Sequence, residues 1–284
     1  MRCLAVLVLA PLVACQAEGS DGIEAYEETQ PSLFCGTIEP SENAKLVTEA
    51  EVARQPRREA VDGGTIAVHV HVIRKGLGIE NGDVSDTVIA AQLRVLDAAY
   101  ADAGWSFELA SIDRTTQPAW FALRAGSAEE TAAKTALHRG TARDLNLYIA
   151  EPGNGMIGYA TFPTHYASAP LHDGVVIRHS ALPGGTSAPY NLGDQTVHQV
   201  GHWLGLYHTY QADCSSDRGD FVADTAPSSM PAFGCPVGRN SCGATGDDPV
   251  RNYMDRSDDG CMNTFTDGQR ARIKVQFDAF RRFP

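Results

Sequence analysis

Thr196-Val197-His198-Gln199-Val200-Gly201-His202-Trp203-Leu204-Gly205-Leu206-Tyr207-His208 sets three histidines and a glycine at fixed intervals. His198 and His202 are four residues apart, so on a helix both imidazoles leave the same face, one turn from each other. Gly205 accepts backbone angles that other residues resist and can bend the chain off the helix axis. The bend returns His208 to the same point. Three neutral imidazoles with an open fourth position suit a catalytic zinc. The competing reading is three histidines packed on a partly buried amphipathic helix. Three histidines plus glycine at this spacing point more strongly to zinc.

Working outward, the helix that carries this pair is expected to begin near Asn191 and to stop at Gly205. Upstream, Thr65–Ile73 alternates Ile66, Val68, Val70 and Val72 against Ala67, His69 and His71, a strand pattern. His69 and His71 share the other face and read as a solvated or packed pair rather than a second metal site. Asp86–Ala103 reads as a helix with Ile89, Leu93, Leu96 and Tyr100 on one face, ended by Gly104. Trp105–Leu109, Leu145–Ile149 and Val175–Ile177 read as strands, and Ser127–Arg139 as a helix opened by a Ser127-x-x-Glu130 capping box. Residues 209–265 are rich in Asp, Gly, Ser and Cys and show little periodicity. Thr266-x-x-Gln269 opens a last helix, with Ile273, Phe277 and Phe280 facing inward.

The chain has 284 residues, 43% of them hydrophobic and 20% charged, enough apolar material for a sizeable core. Its formal net charge of −12 argues against nucleic acid and against docking on anionic lipid. Leu4–Val13 is apolar but too short to span a bilayer, and with Arg2 it reads as an export signal. Leu12-Val13-Ala14-Cys15 resembles a bacterial lipobox, which would make residues 1–14 the signal, Cys15 the lipidated first residue and the protein a cell-envelope lipoprotein. The alternative is an ordinary secretory signal cut near Ala14 or Ala17. Either way the protein is exported, and membrane contact is expected only through the anchor at Cys15. In an oxidising compartment, Cys214, Cys235, Cys242 and Cys261 favour two disulfides over a zinc site, which would want close Cys pairs. Residues 15–60 are polar and irregular, a tether plus pro-segment rather than a folded domain, with 61–284 as the main domain.

His-x-x-x-His-x-x-Gly-x-x-His is the metzincin zinc-protease motif, and Asn252-Tyr253-Met254-Asp255 resembles its Met-turn, with Met254 beneath the metal. HWLGLYHTY, GDFVADTAP, DDPVRNYMD and CMNTFTDGQ are similar to the pappalysin (cytophagalysin-type) metalloproteases. WSFELASIDRT and NLYIAEPGNGMIGYATFP carry the similarity back to about Val68. The resemblance implies an α+β, zincin-like domain: a twisted, mixed but mostly parallel sheet, an active-site helix, and an irregular, disulfide-stapled C-terminal part. It implies peptide or protein substrates and the pairs Cys214–Cys242 and Cys235–Cys261. It also implies calcium near Gly219–Thr225, with Asp220 and Thr225 as candidate ligands.

Two positions depart from the family. Its motif has Glu after the first His, the general base that takes a proton from the attacking water; here that residue is Gln199. An amide has no basic lone pair near neutral pH, and losing a general acid–base costs about 10²–10⁴ in rate. Two residues past Met254 the family has a Tyr that stabilises the tetrahedral intermediate; here it is Arg256, whose donors differ from a phenol in reach and charge. Three readings follow: a zinc-binding pseudoprotease; a weakly active metalloendopeptidase using Asp194 or Asp255 as substitute base; or an engineered inactivating substitution at Gln199, which leaves Arg256 unexplained. Asp194 lies one turn before His198 and is better placed to support that ligand than to reach the water. Phe34-Cys35-Gly36-Thr37 resembles the family's pro-segment cysteine switch, in which Cys35 would occupy the open zinc position. The alternative is a buried or dimer-forming cysteine.

Overall fold

The computed structural model describes residues 33–55, 61–211, 214, 219–243 and 246–282. The export-signal and lipobox readings, with Cys15, lie outside the described residues. In chain order the elements are β1 (Phe34–Cys35), α1 (Glu42–Arg54), β2 (Gly64–Arg74), α2 (Asp86–Tyr100) and β3 (Trp105–Thr116). There follow α3 (Pro118–Phe121), α4 (Ala128–Leu137), β4 (Leu145–Ala150), β5 (Met156–Ala160), β6 (Val175–Arg178), α5 (Asp194–Trp203) and α6 (Asp267–Phe280).

The strands form one sheet in the order β1-β5-β6-β4-β2-β3. All neighbours are parallel except β5, which runs antiparallel to β6. The alternation read in the sequence is what the sheet uses. Ile66, Val68, Val70 and Val72 of β2, with Leu145, Leu147 and Ile149 of β4, enter a core shared with Ile89, Leu93, Leu96 and Tyr100 of α2. Val197 and Val200 of α5 and Ile273 and Phe277 of α6 close that core. The opposite face packs Ile73, Tyr148 and Val176 on Phe121, Ala133 and Leu137 from α3 and α4. With apolar side chains leaving both faces, β4 and β5 are buried along their whole length, while the edge strand β3 is largely exposed beyond Phe107.

The helix ends follow local chemistry. Ser85 and Ser127 accept from the amides of Val88 and Glu130, and Thr266 and Gln269 form the full capping box. The Glu130 carboxylate accepts from Gly126 N at 2.6 Å instead of closing a box on Ser127. Phe280 is half-buried rather than a core residue. The irregular reading of 15–60 fails over Glu42–Arg54, which is a helix capped by Ser41. That helix has no apolar stripe to announce it: the residue it buries is Lys45, whose Nζ donates to Gln211 Oε1 at 2.9 Å and lies over the Tyr207 ring. Among the described residues no helix is long and apolar enough to cross a membrane. The C-terminal part carries the disulfides Cys214–Cys242 and Cys235–Cys261.

Candidate metal centre

Helix α5 is buried from Gln195 to Trp203 and brings His198, Gln199 and His202 to the cleft. It begins at Asp194, later than the sequence pattern suggests, because the Asp259 carboxylate accepts from the amides of Leu192, Gly193 and Asp194 at 2.8, 3.1 and 3.3 Å. A carboxylate there satisfies donors that the helix cannot and favours its positive end. At the other end Gly205 sits at φ +93°, its carbonyl accepts from Arg272 Nε at 3.0 Å, and a Cβ there would collide with Gln276. Glycine and α6 together make the bend, and His208 returns to the pair.

The three Nε2 atoms lie 3.1, 3.1 and 3.2 Å apart. Each opposite nitrogen is engaged: His198 Nδ1 donates to Tyr253 O at 2.7 Å, His202 Nδ1 to Leu206 O at 2.8 Å, and His208 Nδ1 to a Glu39 carboxylate oxygen at 2.6 Å. Backbone carbonyls can only accept, so His198 and His202 carry their hydrogens on Nδ1 and present Nε2 lone pairs to one point. A tetrahedral zinc with bonds of about 2.0–2.1 Å sets its nitrogen ligands about 3.3–3.4 Å apart, close to the spacing found. Cys35 Sγ stands 3.7 Å from His202 Nε2, near the sulfur–nitrogen edge of about 3.5–3.6 Å expected for the same ion. All four donor atoms lie within 4.8 Å of one another, and all four residues are buried. The donor set fits zinc.

Burial opposes charge on Cys35, yet the adjacent His198 and His208 hold its thiol well below the usual range. Burial also opposes charge on His208, but Cys35 and Glu39 push it up to about 9. A cation bound by the cluster would displace that proton. Burial takes His198 down to about 4, leaving a neutral imidazole.

Met254 is fully buried against Gly201, where a Cβ would strike its sulfur. Its turn is held by Asn252 Oδ1, which accepts from Met254 N at 2.9 Å, and by Asn252 Nδ2, which donates to Gln269 at 2.7 Å. Gln199 is fully buried. Thr37 Oγ1 accepts from Ala160 N at 3.0 Å and donates to Gln199 Oε1 at 2.8 Å. That fixes the amide so that Nε2 faces Cys35 Sγ at 3.3 Å. Arg256 donates from a terminal nitrogen to Cys35 O at 3.2 Å and stands over the Tyr210 ring.

Asp194 does not support His198, whose Nδ1 is taken by Tyr253 O. Its carboxyl is pushed up to about 7, by burial first and then by Asp259. Asp255 Oδ1 accepts from Ala232 N at 2.8 Å, while Oδ2 is buried without a partner in the wall that includes Cys35, His198 and Arg256. Asp220 is buried, accepts from Val222 N at 3.0 Å and is pushed up to about 7 by burial. Among the described residues, Asp220 joins no cluster of three His, Cys, Asp or Glu donors. The imidazole anchors at Tyr253 O, Leu206 O and Glu39 were not foreseen. Two are backbone atoms, which leave no signal in side-chain identity.

Residues 141–278 match the peptidase M43 family, described as pregnancy-associated plasma protein-A. An extracellular metalloprotease of Pyricularia oryzae is 42% identical over 260 residues, spanning 87% of this chain and 89% of the relative. The chain belongs to the pappalysin family. Extracellular metalloprotease 1 of Coccidioides posadasii is 38% identical over 252 residues, 87% of this chain and 90% of that one. Among solved structures, mature mirolysin of Tannerella forsythia with a cleaved peptide superposes at a TM-score of 0.63 and 27% identity, covering 77% of this chain and 96% of its own. A promirolysin mutant of the same organism superposes at 0.69 and 26% identity, covering 87% and 94%. This pappalysin is thus a member of a zinc metalloprotease family, with the fold its motif implies.

Proposed function

We propose that this chain is an exported pappalysin that holds zinc through His198, His202 and His208 and engages peptide or protein substrates, with hydrolysis strongly impaired. Export is supported by the names of the relatives, which are extracellular metalloproteases, and by the apolar run behind Arg2. The observation that carries the impairment is the amide at Gln199, buried on the helix beside the cluster and fixed by Thr37. When bound, zinc would polarise a substrate carbonyl and acidify water. The chain's own share, moving a proton between water and leaving amine, needs a base that Gln199 cannot be. No carboxylate joins the four-residue cluster among the described residues.

The segment 33–55 acts as a pro-segment in this reading, with Cys35 as fourth zinc ligand. Supporting it, the similarity to the promirolysin mutant covers more of this chain than that to mature mirolysin. A lipid anchor at Cys15 and calcium near Asp220 and Thr225 complete the proposal, resting on the sequence resemblance. A second reading, weak hydrolysis with Asp255 as base, is favoured by its unpartnered Oδ2 in the cleft wall and by burial, which raises its pKa. The test is peptide binding and turnover by zinc-loaded protein freed of the segment before Val61. Binding without turnover is expected. Chelator-sensitive turnover that Asp255→Asn abolishes would establish the second reading instead.

A further inference from the structure

The two residues that replace the family's catalytic pair both bond the same short stretch of this chain. Gln199 accepts from Thr37 and turns its N–H toward Cys35 Sγ, while Arg256 donates to the Cys35 carbonyl. A carboxylate at position 199 could only accept, whereas the amide also presents an N–H, and that N–H lies 3.3 Å from Cys35 Sγ. At position 256 the guanidinium Nε is buried without an acceptor. The Cys35 carbonyl is the acceptor that its terminal nitrogen finds.

The stretch is seated by backbone as well. Phe34 N donates to Gly155 O at 2.9 Å and Gly36 N to Gly158 O at 2.8 Å, adding β1 to the sheet edge at β5. Farther along, Glu49 pairs with Arg272 at 2.6 Å, tying α1 to α6. We propose that Gln199 and Arg256 are binding residues for the chain's own Leu33–Glu39 stretch, and that they keep it in the cleft after the chain is cut between residues 54 and 61. The inference rests on the reading of 33–55 as a pro-segment. It gives the two substitutions one common role: they slow the departure of a cover that must leave before the cleft can take a peptide.

The test replaces residues 56–60 with a site-specific protease sequence in the full chain. After cutting, dissociation of the N-terminal fragment is followed by native mass spectrometry upon dilution. The wild-type fragment should stay bound. Arg256→Ala should release it about ten- to hundredfold faster, the span expected for losing a hydrogen bond from a charged donor. Thr37→Val, which removes from the fragment side the bond to Gln199 together with the one from Ala160 N, should release it several-fold faster, and Gln199→Leu, which leaves the Ala160 bond in place, should also speed release. Because the remaining body is wild type in Thr37→Val, that variant carries the test even where Arg256→Ala weakens folding. Wild-type release rates in all these variants, with faster release in Cys35→Ser alone, would overturn the inference and leave the Cys35 side chain as the sole tie. Prompt loss of the wild-type fragment would also overturn it, without touching the impaired-hydrolysis reading. Hydrolysis by wild type after fragment removal would contradict that reading and leave this one standing.

Discussion

Among the described residues, Asp173 and Arg281 make the ion pair most completely removed from water, with side chains 1% and 0% exposed. Asp173 Oδ2 accepts from Arg281 and from Trp203 Nε1, each at 2.9 Å, and Oδ1 accepts from Thr161 at 2.8 Å and from Arg281 at 3.1 Å. Arg281 also donates to Trp203 O and Ala142 O and stacks 3.6 Å from the Trp203 ring. The pair therefore joins the approach to β6, the end of α5 that carries His202, and the C-terminus. Asp173→Ala strands the guanidinium without a counter-charge, which costs about 3–5 kcal/mol in comparable buried pairs. For a domain of this size that corresponds to a fall in Tm of roughly 6–20 °C.

Burial opposes the Asp173 carboxylate, but Arg281 and the donors from Trp203 and Thr161 hold it below the usual range. Its contribution is thus present above the ordinary carboxylate pKa and fades as pH falls below it. Differential scanning calorimetry at pH 7 and near pH 3 reads both effects. Arg281→Met added to Asp173→Ala should give less than the sum of the two single losses, because the second change removes the stranded charge. An Asp173→Ala protein within about 1 kcal/mol of wild type, the range of an ordinary surface change, would refute the reasoning.

Three further outcomes are expected. His202→Ala should abolish stoichiometric zinc, measured by metal analysis after dialysis, because two imidazoles leave the tetrahedron half built. The disulfides Cys214–Cys242 and Cys235–Cys261 span 28 and 26 residues; each should contribute about 2–4 kcal/mol in denaturant titrations, with the same pairs found by non-reducing peptide mapping. Asp194, pushed up to about 7 by burial and Asp259, binds its proton more tightly when folded. Its contribution is full below the unfolded carboxylate pKa and is lost as pH rises through 7, so Asp194→Asn should flatten the stability profile over that window and raise stability at pH 8.

The zinc helix was legible because periodicity and chemistry coincide there: the i, i+4 histidines fix a face, and Gly205 at φ +93° makes the bend that the third histidine needs. The alternation of β2 was legible because its two faces differ in hydrophobicity, and the Thr266–Gln269 box because both halves are side chains. Elsewhere the deciding contacts are distant. Helix α1 buries a lysine against Gln211, 166 positions away, so no local pattern marks it. Strand β1 has two residues and exists only as an addition to β5, itself a glycine-containing stretch between loops. Asp259 sets the start of α5 from 65 residues away, and a backbone carbonyl, Tyr253 O, takes the His198 nitrogen that the spacing of Asp194 seemed to offer it. The departures at Gln199 and Arg256 were visible as letters. Their shared contact with Cys35 emerged only when the chain was folded.

The central claim is that the scaffold and metal ligands are intact while the proton-transfer group is missing. It is tested most directly by kcat/KM for chelator-sensitive cleavage of a peptide library, comparing wild type with Gln199→Glu, both zinc-loaded and freed of the segment before Val61. The account predicts that Gln199→Glu gains a factor of about 10²–10⁴, the usual worth of a general acid–base. Equal kcat/KM for the two proteins, with zinc bound in both, would contradict it.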